Sequence, residues 1–221
     1  MKRVRVWDLP VRIFHWLLVI LVVTSYVTQE IGGNAMQWHF RAGYAILTLV
    51  LFRICWGFAG SRYARFSDFL HGWSRLLAYL RGRSERVFHG HNPLGSLSVL
   101  AMLGVLLLQA TAGLFSNDDI ASDGPLVKYI SKELSDQITG LHADIGATLL
   151  YVLVGLHVAA IFWYLLFGRE NLIAPMITGD KVTNDDAADA NDGWTTWLRA
   201  LVLLAACAAL VYLLVNLKTY L

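Results

Sequence analysis

The sequence predicts an all-α membrane protein: a four-helix transmembrane bundle, a fifth C-terminal transmembrane helix, and an amphipathic helix on the cytoplasmic surface. Three observations predict it. Hydrophobic residues fill 57% of the 221 positions and only 15% are charged, against roughly 25% in an average soluble domain. Mean hydropathy is +0.53. Five apolar runs each reach the length of about 20 residues that a spanning helix needs.

The runs are Pro10–Thr28, Trp38–Phe58, Pro93–Ser116, Ile138–Phe167 and Trp194–Leu217, the second of them carrying Arg53. "MKRVR" before the first resembles the basic start of a signal peptide, but no small-residue cleavage site follows, so the run reads as a retained anchor. Lysine and arginine set the orientation. With the N-terminus in the cytoplasm, the outer side of a bacterial inner membrane receives only Arg41, Lys128, Lys132 and Lys218 of the 18 basic residues. The C-terminus then lies in the periplasm. Between the second and third runs, "FSDFLHGWSRLLAYLRGR" (66–83) spaces its apolar residues helically, with Ser67 as the expected N-cap, and reads as an interfacial helix. "GHNPLG" places Asn92 as N-cap and Pro93 as first helical residue of the third run. Residues 4–181 form the expected core domain, 182–193 an acidic solvated linker, and 194–221 the appended helix. Cys55 and Cys207 lie in apolar runs and form no C-x-x-C pair, which argues against thiolate zinc and covalent haem attachment.

Histidines inside apolar runs need an explanation, because an imidazole in hydrocarbon must find a partner. His15 falls near the cytoplasmic end of the first run and His39 near the outer start of the second. His142 lies near the outer start of the fourth, and His157 about 22 Å further along that helix. The depths match in pairs, His15 with His157 and His39 with His142. Fifteen residues at 100° also return within about 60°, so His142 and His157 face one side of a straight helix. Two imidazoles leave zinc short of ligands. They complete the coordination of a haem iron, with no open position, as electron transfer requires. Gly43 and Gly146 each follow a histidine by four residues, leaving flat space for a macrocycle edge; close helix approach is the plainer explanation. Arg41 near the outer level and Arg53 near the inner one are candidates for pairing with haem propionates, against simple snorkelling. His71, His89 and His91 read as solvated or interfacial.

Six motifs occur in order: "VWDLPVRIFHW", "GHNPLG", "LLQATAGLFSNDD", "ELSDQITGLH", "GLHVAAIFWY" and "RENLIAPMITG". Through them the chain resembles bacterial cytochrome b561, in the branch related to the b-type subunit of nickel–iron hydrogenases, over residues 4–181. The resemblance implies two haem b groups, His15 and His157 holding the inner and His39 and His142 the outer, with electrons exchanged between the quinone pool and a redox partner. The fifth helix lies outside the shared part. A periplasmic c-type cytochrome or another redox subunit is the expected partner, beside membrane lipid and quinone, and no nucleic acid. The outer loop 117–136 carries five acids against two lysines, a face suited to a cationic cytochrome. Two rivals stand beside this reading. One is a stand-alone superoxide:quinone oxidoreductase fed past Arg41, Lys128 and Lys132; the other is a haem-free transporter or scaffold whose histidines form a proton or metal path. Whether the chain is itself an enzyme stays open.

Overall fold

The computed structural model describes residues 2–70, 72–83, 88–120, 122–168 and 170–217. In chain order the elements are strand β1 (Lys2–Arg5) and helices α1 (Leu9–Ile31), α2 (Met36–Ala59), α3 (Phe66–Phe69), α4 (Trp73–Leu80), α5 (Pro93–Gly113) and α6 (Lys132–Gly140). A π-helical turn (Leu141–Gly146), α7 (Ala147–Leu166), α8 (Ile173–Thr178), strand β2 (Asp180–Thr183) and α9 (Trp194–Val215) follow. Among the described residues five helical stretches are long and apolar enough to cross a membrane: Leu9–Ile31, Gly33–Ala59, Pro93–Gly113, Lys132–Leu166 and Trp194–Val215. They coincide with the five runs read from the sequence.

The helix starts follow from capping chemistry. The Asp8 carboxylate accepts the Val11 N–H at 2.7 Å and Asn92 Oδ1 accepts the Gly95 N–H at 2.7 Å, each satisfying an orphan donor of a first turn. Ser131 does the same for Leu134 at the start of α6. Between α1 and α2 the chain passes through Gly32 and Gly33, both at positive φ, where a side chain would be strained.

Residues 66–83, expected as one amphipathic helix, form the two short helices α3 and α4, with Leu70 and Gly72 extended between them. Two causes are visible. Glycine inside a helix costs about 1 kcal/mol, and the Ser96 hydroxyl donates to the Phe69 carbonyl at 2.6 Å, occupying an acceptor that a continuing helix would use. Ser67 is not the cap: α3 begins after Arg65, and the Ser67 hydroxyl donates to Asp68. His71 lies outside the described residues. Leu76 is buried, while Trp73 and Leu80 are exposed.

The chain divides into two compact units, and each of the five long helices lends a part to both. The first unit comprises Met1–Phe14, Arg53–Ala101 and Leu153–Val202. It holds a two-stranded antiparallel sheet in which Lys2 faces Thr183 and Arg5 faces Asp180. The all-α expectation did not include this sheet. Gly179, left-handed after α8, turns its carbonyl to the N–H groups of Val6 and Trp7 at 2.8 and 3.1 Å. The acidic linker is exposed at most of its positions but tied to β1 and α1. Ala190 N–H donates to the Arg5 carbonyl at 2.7 Å, and Asp189 accepts the Arg5 N–H at 2.7 Å. Asp192 accepts from Leu9 N–H at 2.8 Å, Trp197 Nε1 at 2.8 Å and the Arg5 guanidinium at 2.5 Å.

The second unit comprises His15–Phe52, Met102–Val152 and Leu203–Leu221. Its core joins Leu47 of α2, Leu114 just after α5, Leu126 of the following loop and Val211 of α9, with Tyr44, Leu107 and Leu214 packed against them. The appended helix is thus integral to this core. The loop 117–136 is tied down by Asn117, whose amide donates to the Ser135 hydroxyl at 2.6 Å and to Asp136 at 3.0 Å.

Candidate functional site

Within the second unit, His39 and His142 face one another, their ring centres 6.2 Å apart and their planes at 83°. His39 stands one turn inside α2. Its Nδ1 lies 2.9 Å from the Ser25 carbonyl and 3.1 Å from the Ser25 hydroxyl. His142 stands in the π turn, with Nδ1 3.0 Å from the Gln109 carbonyl. A carbonyl only accepts, so each Nδ1 carries the proton and donates it, and each Nε2 is left with its lone pair. A metal-binding histidine commonly donates its other ring N–H to a carbonyl, which fixes the tautomer and the ring's orientation. Metal–nitrogen bonds of about 2 Å, plus about 1 Å from nitrogen to ring centre on each side, separate two imidazoles on one ion by about 6 Å. Perpendicular planes sharing that axis are compatible with it. Among the described residues no three His, Cys, Asp or Glu side chains cluster as a metal site. The donor set therefore suits a metal that brings its own equatorial ligands, as haem iron does.

The surroundings of the two site glycines are unequal. A side chain at Gly43 would meet nothing within 4 Å, whereas one at Gly146 would collide with the Gln109 amide and the Leu141 carbonyl. Gly146 therefore makes room for Gln109 and not for open space beside an imidazole. A Cβ at Gly113 would press on the His142 ring at 3.1 Å. Gln109 was missed by the sequence reading. Its side-chain amide donates to the His142 backbone carbonyl at 2.7 Å while its backbone carbonyl accepts from His142 Nδ1, so two bonds clasp His142 to α5. The signal was present: Gln109 is a polar residue deep in an apolar run. Arg41 is exposed, its guanidinium 4.9 Å from the Trp38 ring centre. His15, also in this unit, is half-buried on α1 with its ring edge-on to Trp16 at 5.0 Å.

In the first unit, His157 is half-buried on α7. Arg53 is 3% exposed, its guanidinium 5.7 and 5.8 Å from the ring centres of Phe66 and Phe69. Its Nη1 has no hydrogen-bond partner among the described residues. A buried guanidinium with a spare donor suits an anionic group. Asp8 is the nearby counter-charge, fully buried, and accepts from Trp56 Nε1 at 3.1 Å and from the Ser61 hydroxyl. Asp8 was also missed; an acid in "VWDLP" ahead of an apolar run is its only signal. His91, read as solvated, packs between Trp7 and Phe69 at 4.7 and 4.9 Å. His89 lines a pocket with Arg62, Asp68 and Asp186.

Residues 6–179 match the family described as prokaryotic cytochrome b561. The chain belongs to the prokaryotic cytochrome b561 family. As a member it is a multi-pass membrane protein, and a b-type cytochrome carries haem b. The cytochrome is 26% identical to a probable Ni/Fe-hydrogenase B-type cytochrome subunit of Azotobacter vinelandii, over 84% of this chain and 91% of that one. A subunit of the same description from Rhizobium leguminosarum bv. viciae is 25% identical over 83% and 91%. A probable Ni/Fe-hydrogenase 1 B-type cytochrome subunit of Escherichia coli (strain K12) is 30% identical, over 47% and 54%. No solved structure gives a significant match.

Proposed function

We propose that this cytochrome b561 carries two haem b groups and relays electrons across a bacterial inner membrane between the quinone pool and a periplasmic redox enzyme. The observation that carries the reading is the His39–His142 pair, with both Nδ1 atoms engaged by carbonyls and both Nε2 atoms left for a metal. His15 and His157 are the second pair, supported by their matched depths and by the family resemblance. Each haem b, when bound, supplies a one-electron carrier.

The chain's own residues hold and orient these groups. Ser25 and Gln109 fix ligand tautomers, Gly43 leaves room beside His39, and Arg53 offers a donor to a propionate, with Arg41 the counterpart at the other level. The bias of the basic residues supports an N-terminus in the cytoplasm and a last helix ending in the periplasm. The relatives' names point to a nickel–iron hydrogenase as the partner. The acidic loop 117–136 favours a cationic surface such as that of a c-type cytochrome, although Lys132 pairs with both Asp119 and Asp136 and offsets one of their two charges.

The test is the pigment. Wild-type protein is expected to bind two equivalents of haem b; His142→Ala and His157→Ala are each expected to lose one, with different components missing from the reduced spectrum. One equivalent in fully loaded wild type, or both components surviving either substitution, refutes the reading.

A further inference from the structure

Twice in the second unit a polar residue is followed four positions later by glycine: Gln109 and Gly113 in α5, and His142 and Gly146 in the π turn. The structure interlocks the two pairs. A Cβ at Gly146 would run into Gln109 Oε1, and a Cβ at Gly113 would stand 3.1 Å from His142 Cε1. Residues four apart share a helix face. Each segment therefore presents one polar side chain and one gap, and each side chain fills the gap of the other.

The two hydrogen bonds of this lock differ in what they require. His142 Nδ1 donates to the backbone carbonyl of residue 109, which any amino acid there would present. The second bond needs glutamine, because the side-chain amide donates to the His142 backbone carbonyl at 2.7 Å. That carbonyl also receives the Ala147 N–H, a bond of π register that Ala147 shares with the Asp144 carbonyl. Departures from the regular helical ladder arise where a side chain inserts into it, and π turns of this kind concentrate at functional sites. Within an apolar span no water is at hand to serve a loosened carbonyl. Gln109 serves it.

The consequence falls on the ring. His142 hangs from the backbone that Gln109 holds, Gly113 bounds its imidazole, and its plane stands at 83° to that of His39. We propose that Gln109 is a positioning residue of the His39–His142 haem site: its side-chain amide holds the π turn in register and so keeps the His142 plane crosswise to that of His39. This rests on the di-haem reading above. Groups behind the axial ligands orient them and tune the iron's potential, so Gln109 sets one of the two levels of the relay without touching a haem itself.

The experiment compares haem-loaded full-length wild type, Gln109→Met and Thr48→Val by haem content, redox titration and low-temperature electron paramagnetic resonance of the ferric form. Crossed imidazole planes give a low-spin ferric haem a strongly anisotropic resonance, and parallel planes a rhombic one. The resonance that His142→Ala removes identifies the site. Gln109→Met, similar in length but without the donor, is expected to keep two haem b equivalents. It should move that resonance toward the rhombic form and shift the midpoint potential of that haem alone. Thr48→Val, which removes a side-chain bond to the Tyr44 carbonyl on α2, should match wild type. Unchanged resonances and potentials in Gln109→Met overturn the proposal, as does a rhombic resonance at this site in wild type. If Gln109→Met loses the haem, Gly146→Ala decides, because it keeps the amide and displaces it: a shifted resonance supports the assignment and an unshifted one overturns it. Fewer than two haem equivalents in wild type sink the di-haem reading instead.

Discussion

A histidine in an apolar helix is ambiguous until its second nitrogen is accounted for. His39 and His142 resolve the ambiguity in the same way, by donating Nδ1–H to a carbonyl of a neighbouring segment. Gln109 goes further, returning a bond to the backbone of the residue it orients. Asp8 shows the opposite economy: one carboxylate caps α1, receives Trp56 and Ser61, and balances Arg53. Replacing Asp8 with alanine removes a cap worth about 1 kcal/mol and charge-assisted bonds worth about 1.5–3 kcal/mol each, and leaves the Arg53 guanidinium without its counter-charge. The expected outcome is a fall of about 3 kcal/mol or more in stability, seen as a clear drop in the thermal midpoint of purified protein. Asp8→Asn, which can still cap, should fall less.

At the scale of elements, two departures from regular helix matter. The π turn Leu141–Gly146 adds roughly one residue's rotation to the helix, so the straight-helix phase assumed between His142 and His157 does not carry through it. The other is the clamp of β1, β2 and the linker. Asp192 is pulled both ways: burial opposes its ionisation, but Leu9 N–H, Trp197 and Arg5 outweigh this and hold its carboxyl below the ordinary value. A group with a depressed folded pKa stabilises above its unfolded pKa, near 3.9, and loses that contribution as pH falls through the folded value. The linker should therefore stay protected from proteolysis at pH 5 and open to pepsin only below the ordinary carboxylate range. Asp192→Asn should expose it at neutral pH.

For the whole molecule, the basic residues and the spans make a prediction about sidedness. A cysteine placed at Asp186, in the exposed linker, should react with an impermeant maleimide in inverted vesicles and not in right-side-out ones. The reverse pattern would invert the proposed orientation. The linker's attachment to β1 predicts the same labelling for a cysteine at Lys2, since Lys2 and Asp186 pair at 2.7 Å.

The five spans and the Asn92 cap were legible in the sequence because each rests on local chemistry: an apolar run, and a side chain three residues from the donor it caps. What only the tertiary structure decided joins residues far apart in the chain. β1 reads as a basic leader until β2, about 175 residues on, pairs with it; the break at Leu70–Gly72 becomes clear once Ser96 takes the Phe69 carbonyl; and Gly146 looked like free space until Gln109 filled it. Periodicity reports which face of a segment is apolar, whereas hydrogen-bond partners across 30 or 180 residues depend on how the segments pack, and no local pattern encodes that.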